Sequence, residues 1–195
     1  MTNTRKRLQY ASPATLSFAL ISLLALVLDK LTMGFTTNLL FCTYRSSFTD
    51  PFTYIRLFGH VLGHANLAHY SGNMVLFLVL GPILEEKYGK AAFIKMIAIT
   101  ALVSGLFYMI FLPHSALLGA SGIVFMMIVL SSSAGLNEGK IPITMILVII
   151  IYLGGEIFDG LTLSDSIAHG AHILGGLCGA AFGFSKSHTS KKSLK

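Results

Sequence analysis

Apolar stretches of spanning length recur near 14–35, 66–84, 92–112, 117–135, 141–158 and 167–184. A bilayer core about 30 Å thick takes roughly 17 to 25 predominantly apolar residues per helix, so the pattern predicts six membrane-spanning helices. The polar breaks between them are short except for one connection, 36–65. Loops longer than about 12 to 15 residues commonly carry function or structure of their own. Within this one, residues 55–64 (IRLFGHVLGH) alternate at near-helical spacing, and Phe41, Tyr44, Phe48, Phe52 and Tyr54 upstream suit an interfacial position. A structured outer loop lying partly in the membrane is expected.

Composition strengthens the membrane assignment. The 195 residues are 54% hydrophobic and 11% charged, with a mean hydropathy of +0.75, whereas a soluble domain carries about a quarter charged residues. The net charge of +6 does not indicate nucleic acid, because the basic residues flank apolar stretches and form no stripe with interleaved aromatics. They act as topology signals. With Arg5, Lys6 and Arg7 in the cytoplasm, all of the 14 Lys and Arg except Lys30, Arg45 and Arg56 fall inside, as the positive-inside rule requires. The expected layout is a cytoplasmic segment 1–13, a six-span domain 14–185 with its outer loop at about 36–65, and a basic cytoplasmic tail 186–195. The setting is a cell (plasma or inner) membrane with both termini cytoplasmic. The first stretch follows basic residues as a signal peptide would, but no A-x-A-like cleavage pattern precedes Asp29 and Lys30, so it reads as a retained signal anchor. Cys42 and Cys178 stand in unlike contexts and suggest neither a disulfide framework nor a CxxC site.

Polar residues inside the spans are then the informative ones, since without a partner they are costly in hydrocarbon and so face the bundle interior or a water cavity. His69 and Asn73, spaced i, i+4, share one helix face and converge their donors as an oxyanion requires, although such a pair also serves to hydrogen-bond neighbouring helices. Ser121 lies in Gly119-Ala120-Ser121-Gly122, in the first turn of its helix, where free amides and the positive helix end favour a developing negative charge. The same small-residue patch is common packing material between membrane helices. His172 shares a stripe with Gly175, Gly176, Gly179 and Gly183. Pressed against the start of the fourth span, that face brings the imidazole within reach of the serine hydroxyl and makes a Ser–His dyad feasible. Asp165 precedes His172 by about 10 Å of helix, so no carboxylate completes a triad locally. His60 and His64 are also i, i+4, but with no HExxH and no acidic third ligand they predict structural hydrogen bonding. Glu85 reads as a tie in the cytoplasmic turn, and Ser104 and Ser131 to Ser133, for want of a histidine partner, read as packing or interfacial residues.

In order on the second, fourth and sixth stretches, His69-x-x-x-Asn73, Gly119-x-Ser121-Gly122 and Ala171-His172-x-x-Gly175 resemble the motifs of the rhomboid intramembrane serine proteases of the bacterial or archaeal six-span type. The similarity runs from about Pro51 to Phe184. His60 and His64 before the second span, Gly81-x-x-x-Glu85-x-x-x-Gly89 after it, and the loop residue Arg56 fit the same family. Three positions depart from it. Ile55 replaces the tryptophan of a Trp-Arg pair, Leu118 a common glycine, and Phe125 the tyrosine that stacks on the histidine one turn after the serine.

The resemblance implies an all-α six-transmembrane-helix bundle and a serine-type endopeptidase. It would cut transmembrane segments of single- or multi-span membrane-protein substrates within the lipid bilayer, with no cofactor, no metal and a preference for a small side chain before the cut. Ser121 would be the nucleophile and His172 the base; His69, Asn73 and the Ser121 N–H would stabilise the oxyanion; Gly119, Gly122, Phe125, Gly175 and Gly179 would support them. His169, one turn outward of His172, lacks the flanking Ala and Gly and is expected at the rim. The fifth span or the loop 159–166 is the expected gate. The alternative is a non-catalytic rhomboid-like protein that binds or escorts membrane clients, against which the presence of both serine and histidine argues. A small transporter would carry more mid-membrane charge and inverted repeats. Nothing in the sequence sets an oligomeric state.

Overall fold

Pro13, which has no amide proton to leave unpaired, opens α1 (Pro13–Leu31). The computed structural model describes residues 12–133, 141, 143–148, 150–151 and 166–192. Two further long helices follow the outer loop. Asn66 caps α3 (Leu67–Tyr88) by accepting from the His69 amide at 2.8 Å. Gly89, at φ +82°, then turns the chain into α4 (Lys90–Phe111). These three helices are long and apolar enough to cross a membrane. The described residues are thus those of an all-α membrane protein, with an isolated antiparallel bridge between Thr43 and Leu117.

The later expected spans are met differently. The stretch 117–135 becomes helical only as α5 (Ser121–Ser132), 12 residues or about 18 Å. Its first part is held as loop instead: Leu117 and Thr43 exchange both backbone hydrogen bonds (2.8 and 2.9 Å), and the Gly119 amide donates to the His60 carbonyl at 2.9 Å. Of the fifth stretch, α6 (Ile143–Val148) is described, while the expected gate at 159–166 lies outside the described residues except for Ser166. The last helix, α7 (Ser166–Lys192), extends beyond the apolar stretch into the basic tail.

α1 docks on α3 through complementary sizes. Gly81 leaves room for Thr15, whose Oγ1 would sit 2.7 Å from a Cβ placed there, and Phe18 stacks on Phe77 at 4.4 Å between ring centroids. Glu85 finishes the contact. Its buried carboxylate accepts from the Ala14 and Thr15 amides, both at 2.9 Å, and from the Thr15 hydroxyl at 2.8 Å. A negative side chain on α3 thereby satisfies the orphan donors of the α1 N-terminus, where the helix dipole also favours it.

The connection 36–65 has structure of its own. A π-helical turn, Thr37–Phe41, leads to α2 (Pro51–Gly59), which continues as a 3₁₀ turn, His60–Leu62. Asp50 caps α2 at the Phe52 amide (3.0 Å) and pairs with Arg56 at 2.6 Å. Arg56 is buried, and its guanidinium lies 4.6 Å over the Tyr44 ring. Gly59 and Gly63 allow the Leu40 and Phe41 carbonyls to lie where side chains would otherwise stand.

His60 and His64 donate from Nδ1 to the Arg56 and Leu62 carbonyls, each at 3.2 Å, the hydrogen-bonding role expected of them. Ser104 corrects an expectation: its Oγ lies 3.4 Å from His60 Nε2, so it does have a histidine neighbour. Its proton is better engaged by the Thr100 carbonyl at 2.8 Å, so packing remains its role.

Burial pushes the His60 imidazole down to about 4; burial, then the neighbouring His69, takes His64 to about 4 as well. Between pH 6.5 and about 4 the unfolded chain binds protons that the folded chain refuses, so stability present above 6.5 is lost as pH falls through that window. Thermal unfolding in detergent micelles should show a Tm that drops from about pH 7 to about pH 4.5. His60→Gln should flatten that slope.

Candidate functional site

The short helix α5 presents its start to the other two elements of the site. Gly119, at φ +120°, lies in the left-handed region that a side chain disfavours. A Cβ there would stand 2.8 Å from both Cε1 and Nε2 of His69 and 3.8 Å from Asn73 Nδ2. The backbone just before Ser121 therefore rests against the His69–Asn73 face of α3. No side chain caps α5, so its first-turn amides keep their donors beside the serine. Asn73 is buried, and its Nδ2 has no hydrogen-bond partner among the described residues. Buried side-chain donors are ordinarily paired, which sets Asn73 apart.

α7 meets α5 backbone to backbone. A Cβ on Gly175 would collide with the Gly122 carbonyl, one on Gly179 with the Met126 carbonyl, and one on Gly122 would stand 3.1 Å from the Ala171 carbonyl. The crossing sets His172 flat on Phe125, with centroids 4.2 Å apart and planes 6° apart. Phe125 follows Ser121 by one helical turn, so the stack holds the imidazole over the Ser121 side of α5. His169 meets His172 edge-on at 6.5 Å between centroids.

Two positioning contacts have no counterpart in the sequence reading. The buried Tyr108 hydroxyl accepts from the Ala171 amide at 3.1 Å and touches the Gly170 position, anchoring the early part of α7. Thr43, through its bridge to Leu117, fixes the loop that delivers Gly119. A tyrosine in an apolar span was the one available signal; Thr43 offered none. Among the calls that fall elsewhere, Ile55 is exposed beside the buried Arg56, Leu118 is half-buried, and Asp165 lies outside the described residues.

Gly175→Ala measures the closeness of the helix crossing. Overpacking of this kind is expected to lower stability by about 1–3 kcal/mol. In contrast, Gly72→Ala on α3, where nothing lies within 4 Å of the new methyl, is expected to be neutral or to stabilise by up to about 1 kcal/mol. Unfolding curves of the two variants provide the comparison. Equal stability would mean that the crossing relaxes freely.

The family model of the Rhomboid domain matches residues 51–189. The chain is also similar to Rhomboid-related protein 1 of Caenorhabditis elegans, at 30% identity over 140 residues, covering 66% of this chain and 39% of that relative. It thus spans well under half the length of the relative it matches.

Proposed function

The chain belongs to the rhomboid family, and from that premise we propose that it is an intramembrane serine endopeptidase cutting transmembrane segments of membrane proteins. The observation that carries the proposal is the stacking of His172 on Phe125, one turn beyond Ser121, where α7 crosses α5 at Gly122 and Gly175. His172 takes the proton of the Ser121 hydroxyl as Oγ attacks the scissile carbonyl carbon. The carbonyl oxygen becomes an oxyanion, stabilised by the Asn73 amide, the His69 ring and the Ser121 N–H. Collapse breaks the C–N bond, and His172 returns the proton to the leaving amine. Water, deprotonated by the same imidazole, then hydrolyses the acyl-serine.

The substrate is a membrane helix whose scissile amide is hydrogen-bonded within the helix, so local unwinding precedes attack. Segments weakened by Gly or Pro near the outer face are favoured for that reason. Water reaches Ser121 from the outer face, with both termini cytoplasmic. The test is to reconstitute the full chain in liposomes with a single-span substrate carrying tags on both sides. The expected result is two complementary fragments. Substrate that binds and stays intact would turn the assignment to a non-catalytic member that escorts membrane clients.

A further inference from the structure

Two cavities meet at the start of α1. One, of about 430 Å³, is an apolar groove between α1, the end of α2 and α4, walled by Phe18, Ile21, Phe58, Ile94 and Ala98 and closed by Lys90. The other, of about 440 Å³, is lined by Ser12, Pro13, Glu85, Glu86 and Lys90 and so carries the charged side chains. Pro13 and Lys90 line both, so the two adjoin.

The polar end carries both signs of charge. The Glu85 carboxylate is committed to the α1 amides, whereas Glu86 and Lys90 are exposed. Lys90 opens α4, whose first turn has no side-chain cap and carries the positive end of the helix dipole. A cation at the start of α4 and an exposed carboxylate near the end of α3, both lining one cavity, complement a ligand with a phosphodiester beside an ammonium group. Below it, α1 offers about 12 Å of apolar wall from Pro13 to Ile21. That wall suits a hydrocarbon chain.

We propose that this composite groove binds a glycerophospholipid whose head group joins a phosphodiester to a primary ammonium, the phosphate at Lys90 and the α4 amides, the ammonium at Glu86 and an acyl chain along α1. An anionic head group without the ammonium leaves the Glu86 carboxylate with no cationic partner in the ligand. A quaternary ammonium has no N–H to donate to the carboxylate. The site is independent of the proposed proteolysis.

Native mass spectrometry of the full chain, delipidated in detergent and titrated with lipids of identical acyl chains, tests the assignment. Phosphatidylethanolamine is expected to bind about five-fold or more tightly than phosphatidylcholine or phosphatidylglycerol. Glu86→Gln should erase the preference over phosphatidylcholine, and Lys90→Gln should weaken all three lipids. Ala98→Phe should fill the groove with the same effect as Lys90→Gln; if that variant does not fold, the two charge variants still decide. Equal binding of the three lipids by the unaltered chain, or an intact preference in Glu86→Gln, would overturn the proposal.

Discussion

Ser121→Ala is expected to reduce cleavage of a reconstituted single-span substrate by about 10⁴-fold or more, and His172→Ala by a similar factor. Nucleophile and base act on one proton, so losing either removes the covalent route entirely, and the double variant should be hardly worse than either single one. Neither change should unfold the protein: Ser121 is half-buried at a helix start, and α5 and α7 meet through glycines next to these side chains. His169→Ala is the control. Its ring stands T-shaped to His172 at 6.5 Å between centroids, and activity should persist. Wild-type rates in the Ser121 or His172 variants, with melting curves unchanged, would defeat the dyad, and loss in His169→Ala alone would reassign the base.

How much of this was legible beforehand depended on the range of the interaction. α1, α3 and α4 follow from apolar runs, which are local. The His69–Asn73 face is likewise local, because helical periodicity alone sets both residues on one side. The glycine stripe of α7 marked a face made for close approach, but periodicity names no neighbour; that α5 is the neighbour depends on the whole packing. Glu85 was read as a tie in the cytoplasmic turn, yet its partners, Ala14 and Thr15, lie some 70 positions away and contribute backbone amides that every residue has. Ser121 was rightly placed in the first turn of its helix, but the apolar stretch drawn from 117 starts before α5 does. Hydropathy continues smoothly through Leu117 and Leu118, whereas the pairing of Leu117 with Thr43 keeps that segment extended. Ser104 shows the converse error: a histidine 44 positions away was overlooked because only sequence neighbours were visible.

The proposed oxyanion donors offer a test in which activity and stability move apart. Asn73 Nδ2 is buried and has no partner among the described residues, so the resting protein already bears the desolvation cost of that donor. Asn73→Ala is expected to leave Tm unchanged or slightly raised, while kcat falls by about 10²–10³, the usual effect of removing one oxyanion-hole donor. KM should change little, because the donor is aimed at a charge that develops only in the transition state. His69→Ala should lower kcat in the same way, and the double variant should lose less than the product of the two, since both donors serve one oxygen. Asn73→Asp is the sharper case. It preserves the shape but sets a carboxylate where negative charge must accumulate, so its loss should exceed that of Asn73→Ala. A purely structural asparagine predicts the opposite pattern, with stability lost in proportion to activity and Asp no worse than Ala.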